Sequence, residues 1–365
     1  GSALTQIPAH AFENCASLAA VTVPASVTSV GESAFAGCEA LANVDLSENV
    51  TVIGATAFEG TSSLMSIELG AALQQIGQDA FYESGMWQAA ELFVYADDWL
   101  VGSKRDSFID EESFAIAPSV LQEGVVGIAD YAFFNIQGIY RVELPDSVRY
   151  IGDYAFYAIE ALIRVDTGSG AVRIGAYAFD SCTMLDDLTL GENVAEIASH
   201  AFARCTRLLN VTLPVSVEKI GTYAFYATAL WEASDLVVYI DNWVVGVRYP
   251  QRYGYETYEV QAGTVGICDY AFYNTAYYPV IILPEGLQYI GRAAFYRSVS
   301  LSTINIPSTV TSIGDYAFYG CISLTDVSFG SGLQSIGRAA FYGCTSLTQA
   351  ELPQTLRTIG QNAFY

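Results

Sequence analysis

The 365-residue chain is 52% apolar, only 15% charged, and carries a net charge of −24. That acidity disfavours nucleic acid as a partner, because phosphate contacts need a cationic track, and no apolar run approaches the ~18 residues that a membrane-spanning helix needs. The charge is uneven: residues 1–103 hold twelve Asp or Glu and no Lys or Arg. A basic protein partner or a divalent cation fits this balance, and so does plain solubility of a long surface protein.

From the N-terminus an Ala-Phe dipeptide recurs with a 23-residue step, at Phe12, Phe35, Phe58 and Phe81. Twenty-three residues cannot close a hydrophobic core alone, so each unit is predicted to be one coil of a solenoid. Around each Phe the unit reads L-x-x-V-x-L-P-x-S-V-x-x-I-G-x-x-A-F-x-x-C. The V-x-L step has period two, which predicts a short strand with alternate side chains inward, ended by Pro where a ladder donor is no longer needed. The V-x-x-I-G piece is a second extended segment, with Gly permitting the bend that follows. From Gly to Cys the spacing predicts one helical or 3₁₀ turn that buries Ala and Phe.

After Phe81 the step fails, and the next Ala-Phe lies 52 residues on, at Phe133. In the gap, MWQAAELFVYADDWLVG (residues 86–102) flanks Asp97-Asp98 with Val, Tyr and Leu, the pattern of a β-hairpin with a two-residue turn. The period resumes at Phe133, Phe156, Phe179, Phe202 and Phe225, then fails again for 47 residues. There LWEASDLVVYIDNWVVG (residues 230–246) aligns with the first insert without a gap. Hairpin insertions at about 86–115 and 230–258 are therefore expected, and they contain all four tryptophans. A final block carries Phe272, Phe295, Phe318, Phe341 and Phe364. Residues 1–365 are read as a single solenoid domain. It should hold about sixteen coils over some 75 Å, at ~4.8 Å per coil, with the repeat phenylalanines buried in one stack.

Two surfaces are candidates for ligand binding. Each hairpin brings a large aromatic, Trp99 or Trp243, beside Tyr95 or Tyr239, and such side chains often anchor interfaces. A hairpin projecting from the stack could vary as functional loops do; alternatively these aromatics close the core where the period breaks. The second surface is the outer face of the strands. There Arg141 and Arg164 flank Glu143 and Asp166 and can neutralise them, whereas Asp45 and Glu68 have no such partner. A bound cation or basic ligand would relieve that repulsion, and so would solvation.

Catalytic and metal chemistry find no support. Cys15, Cys38, Cys182, Cys205, Cys321 and Cys344 share the slot three after Phe, which elsewhere holds Thr61, Ser84, Thr228 or Ser298. That slot wants a small side chain, and coil-to-coil stacking leaves parallel Cβ vectors that suit a disulfide poorly. All six are expected to be buried, reduced thiols. No C-x-x-C occurs, which argues against zinc. His10 and His200 occupy a slot elsewhere filled by Tyr, so neither reads as catalytic. Tyrosines ladder in the slot after Phe, from Tyr82 to Tyr365, where they cover apolar surface or form a binding stripe.

Runs such as GDYAFYGC (Gly314 to Cys321) and GRAAFYGC (Gly337 to Cys344) resemble the BspA-like class of leucine-rich repeats, and the resemblance spans nearly the whole chain. It implies a β-rich leucine-rich-repeat solenoid: a right-handed superhelix of short strands with helical or 3₁₀ turns and two hairpin insertions. It also implies secretion or display on a bacterial cell surface, with roles in adhesion and protein binding but no particular ligand. The expected function is therefore a non-enzymatic, extracellular interaction protein without a cofactor, binding a host or extracellular-matrix protein through the strand face and hairpins. A glycan-binding module using exposed aromatics, or a rigid stalk without a ligand, are the alternatives. The chain starts and stops inside a repeat and Gly1-Ser2 reads like a vector scar, so a piece of a longer protein is expected.

Overall fold

The computed structural model describes residues 4–104, 114–117, 119–248 and 257–365; the portions of the expected insertions at 105–113 and 249–256 lie outside the described residues. The 23-residue period is realised as parallel register. Val21 pairs with Val44 and Asn43 with Ala20, while Val30 pairs with Ile53 and Ile53 with Ile76. Each regular coil thus lays a short strand into an inner ladder and most add a second in an outer ladder, and the solenoid has about 15 turns with little helix.

The chain divides into two compact units, Gly1–Val194 with Ala201–Leu208, and Ala195–His200 with Leu209–Tyr365. In the first, the outer ladder runs through Phe114–Ile116, Ile139–Glu143, Arg164–Asp166 and Asp187–Thr189. In the second it runs through Thr257–Glu259, Val280–Ile282, Thr303–Ile306 and Asp326–Phe329.

The repeat phenylalanines form the core within each unit. Phe35, Phe58 and Phe81 stack at 5.2 Å with rings within 8° of parallel, and Phe295, Phe318 and Phe341 stack at 4.9 Å. Parallel rings at strand spacing follow from in-register pairing, since each Phe sits directly over its counterpart. Phe12 and Phe364 depart from the expectation of full burial, at 36% and 39% exposed. Both belong to coils that have a neighbour on one side only among the described residues.

The segment from Gly to Cys is not the helical or 3₁₀ turn expected. It is a run of turns in which two positions per coil take left-handed backbone, two residues before and two after Phe, as at Ser33 (φ 52°) and Gly37 (φ 70°) or Tyr154 (φ 56°) and Ala158 (φ 56°). The alternation aims every second N–H at the adjoining coil. Ser33, Phe35 and Gly37 donate to the carbonyls of Ala55, Ala57 and Glu59 at 2.9, 2.8 and 2.8 Å. A helical turn would direct those donors along its own axis, leaving the buried corner without coil-to-coil bonds, which is costly. The Gly four residues before Phe also has a different role from the bend assigned to it. A Cβ at Gly54 would stand 2.6 Å from the Glu32 nitrogen and 2.7 Å from the Gly31 carbonyl carbon. Close stacking of backbones, rather than a special φ, demands glycine there.

Candidate functional site

Both hairpins form with the predicted two-residue turn, and both are built into the wall of the solenoid instead of projecting from it. Phe93–Ala96 pairs antiparallel with Trp99–Ser103, which continues parallel onto Gly127–Ile128. Val237–Ile240 and Trp243–Val247 repeat this, with Trp243 opposite Gly266. The turn residues Asp97 and Asp241 are left-handed, and their carboxylates tie each tip back to the preceding coil by accepting the N–H of Leu69 at 2.9 Å and of Leu213 at 2.6 Å.

This placement removes the tryptophan anchors. Trp99 and Trp243 are 1% and 2% exposed, each lying flat over a glycine of the next strand, Gly127 and Gly266. They close the core where the period breaks and cannot touch a ligand. Tyr95 and Tyr239 are half-buried and also fix the wall. The Tyr95 hydroxyl accepts the Gln122 N–H at 3.0 Å, and that of Tyr239 accepts the Gln261 N–H at 3.2 Å and shares a 2.8 Å bond with the Tyr258 hydroxyl.

On the strand face, Asp45 and Glu68 are exposed and face each other across one strand spacing, as expected. In the middle of the first unit Arg141 bonds Glu143, but Arg164 reaches Glu143 at 3.7 Å and Asp187 at 3.1 Å instead of Asp166. Asp166 is occupied locally, accepting the Gly168 N–H at 3.0 Å.

All seven cysteines are free. Six are buried; Cys15, in the first described coil, is exposed, contrary to the expectation for its slot. Where the slot holds a buried Cys, or Ser298, the side chain also donates to the adjoining coil, although Ile136 and Ile159 fill it without a donor. Cys38, Cys182 and Cys321 direct Sγ at the carbonyls of Phe12, Phe156 and Phe295 at 3.1, 3.3 and 3.1 Å, and Ser298 Oγ does the same to Phe272 at 2.8 Å. The Thr and Ser substitutions in the sequence were the available signal for that bonding, with Thr61 and Thr228 donating to Phe58 and Phe225 of their own coils at 2.7 and 2.9 Å.

The feature the sequence did not reveal is a pair of matching clefts, one beside each hairpin. Ser84 and Thr228, in the Cys slot, cap short helices at Gly85–Ala89 and Ala229–Ala233 by accepting the N–H of Trp87 and Trp231, both at 3.1 Å. Each helix swings its Trp against the last strand of its hairpin, where Gly102 or Gly246 leaves room for the ring. The cleft in the first unit measures about 650 Å³ and that in the second about 320 Å³. Tyr82 meets Trp87 edge-on at 5.0 Å and 68°, and Tyr226 meets Trp231 at 5.5 Å and 70°.

A cation and two carboxylates complete each cleft. Lys104 Nζ donates to the carbonyls of Gln88, at 3.3 Å, and Ala90. Arg248 Nη1 donates to those of Glu232 and Ser234, both at 2.6 Å. Asp79 and Asp130 line the first cleft and Glu232 and Asp269 the second, where Arg248 Nη2 also pairs with the Glu232 carboxylate at 2.9 Å. Asp130 accepts from Gln75 Nε2 at 2.8 Å and from the Asp153 N–H at 2.7 Å. Burial, and then the negative charge of Asp153, push its carboxyl up to about 6, against the smaller opposing effect of these bonds and of Arg173. Burial raises Asp269 too, opposed by the Arg292 N–H it accepts at 2.7 Å and by the charges of Lys219 and Arg292.

The repeat pattern laid out by this geometry matches the BspA type leucine rich repeat region, in six copies, over residues 2–91, 108–230 and 259–365. The chain belongs to that family. The stretches outside the BspA-type match, 92–107 and 231–258, contain the two hairpins. Among solved structures, this BspA-type chain is similar to a leucine-rich repeat protein from Bacteroides ovatus at 22% identity, covering 99% of this chain and 79% of the other with a TM-score of 0.31. It is similar also to a leucine rich cell surface protein from Faecalibacterium prausnitzii at 21% identity, covering 94% and 88% with a TM-score of 0.28. The chain has no match among curated proteins.

Proposed function

We propose that this chain is a non-enzymatic protein displayed at a bacterial cell surface, where it adheres to another protein, of host or matrix origin, through the outer face of its strands. One observation carries this reading. In the second unit the outward residues Val280 and Ile282 floor a groove of about 440 Å³, with Ile282 46% exposed, on a face that other coils keep polar. Asn305 and Ser328 border it, joined by a 2.7 Å bond from Ser328 Oγ to Asn305 Oδ1. An exposed apolar floor inside a polar rim is the anatomy of a protein contact.

In the first unit the facing carboxylates Asp45 and Glu68 favour a basic patch on the partner. Extracellular display agrees with the family, and no helix among the described residues is long and apolar enough to cross a membrane. The test is an array of serum and matrix proteins probed with the chain and with Ile282→Asp. Capture should fall at least tenfold in the variant. Equal capture by both would overturn the assignment to the strand face, and capture of nothing would favour a ligand-free stalk.

A further inference from the structure

We infer that the cleft beside each hairpin is a saccharide site that takes one neutral pyranose ring of a glycan. The two clefts are 144 residues apart in sequence and share three lining positions in kind, Tyr82 and Tyr226, Trp87 and Trp231, Lys104 and Arg248, while Asp79 in the first is replaced by Tyr223 in the second. The far wall repeats it, with Tyr131 and Tyr270 preceding the laddered rings of Phe134 and Tyr273. Outward residues of the regular coils show no such agreement, as Asp45, Thr189 and Ile282, each ten residues after Phe, illustrate.

The lining selects the ligand by what it refuses. Each cleft sets one cation among two carboxylates, Lys104 with Asp79 and Asp130, and Arg248 with Asp269 and with Glu232, which it pairs at 2.9 Å. The carboxylates disfavour phosphate, sulfate or a sialic acid. A neutral ring with several hydroxyls satisfies both groups at once. Asp130 offers about four lone-pair sites, of which Gln75 and Asp153 take one each. Lys104 has three donors, two of them taken by Gln88 and Ala90 among the described residues. The Tyr82 and Tyr226 rings, 38% and 45% exposed, offer π faces as partners for the C–H face of a pyranose. Both volumes fall in the usual range for small-molecule sites, about 300–1,000 Å³.

This site goes beyond the protein-binding reading and is tested apart from it. The intact chain is applied to an array of neutral hexose- and N-acetylhexosamine-terminated oligosaccharides, with sialylated and sulfated glycans alongside. Hits are titrated in solution by the emission of Trp87 and Trp231. Neutral glycans should bind and perturb that emission, and Tyr82→Ala with Tyr226→Ala should weaken binding at least tenfold. Both residues are exposed, so the double variant should stay folded by circular dichroism. Tyr319→Ala, in the regular ladder, should bind as the unaltered chain does. Binding confined to anionic glycans, binding unaffected by the Tyr82 and Tyr226 substitutions, or no neutral glycan bound at millimolar concentration would each overturn the proposal. Ile282→Asp, which disables the strand-face groove, should leave glycan binding intact.

Discussion

Gly127→Ala tests whether Trp99 is a core element held in place by a missing side chain. The added Cβ would lie 2.5 Å from Cε3 and Cζ3 of the Trp99 ring, whereas carbon atoms pack at about 3.5–4.0 Å. The ring must then move by about 1 Å, yet it is 1% exposed and enclosed. Overpacking of this kind costs about 1–3 kcal/mol, from which the intrinsic preference of a strand for Ala over Gly, about 0.5–1 kcal/mol, is subtracted. A net loss of roughly 1–2 kcal/mol is expected in urea unfolding followed by tryptophan emission, with hydrogen exchange on peptides covering 99–103 to localise it. In a Trp99→Leu background the clash is absent, and Gly127→Ala should become neutral or mildly stabilising, a coupling of about 2 kcal/mol. An equal cost in both backgrounds would refute the packing argument and return Trp99 to the list of residues whose role is unexplained.

Three further outcomes follow from the geometry. Because burial raises the Asp130 carboxyl to about 6 from an ordinary 3.8, the folded chain holds this proton more tightly than the unfolded one. That stabilisation is fully present below about pH 4 and lost as pH rises through about 6, an effect on the order of 3 kcal/mol; Asp130→Asn should flatten this part of the stability profile, and an unchanged slope would count against it. In native protein a thiol reagent should label one cysteine, Cys15, and all seven after denaturation; fast labelling of a second would contradict the burial described. Ala158, left-handed at φ 56° where Gly320 and Gly343 serve in other coils, should become Gly with a gain of up to about 1 kcal/mol, and a loss on thermal melting would show that its methyl group matters more than its backbone.

The period of Phe, the two strands per coil and the hairpin turns at Asp97 and Asp241 were legible because each leaves a fixed spacing in the sequence. The turn between Gly and Cys was not. Ser33, Tyr154 and Ala158 are ordinary side chains in left-handed backbone, a state that only glycine advertises. Apolar pattern likewise could not settle whether Trp99 and Trp243 serve an interface or close the core. The clefts were hidden for a third reason: Asp79 and Tyr82 meet Asp130 and Tyr131 only because the inserted hairpin takes the place of a coil between them.

That substitution of a hairpin for a coil has a consequence for how such arrays change length. Trp99–Leu100 and Trp243–Val244 begin the parallel ladder of the following coils, with the first hairpin strand at the sheet edge, so a block that starts at a hairpin can be duplicated or lost without shifting the pairing of its neighbours. Each copy brings its own helix, tryptophan pair and cleft. Cleft number is therefore coupled to gene length: recombination between blocks would change the number of clefts per molecule in whole steps.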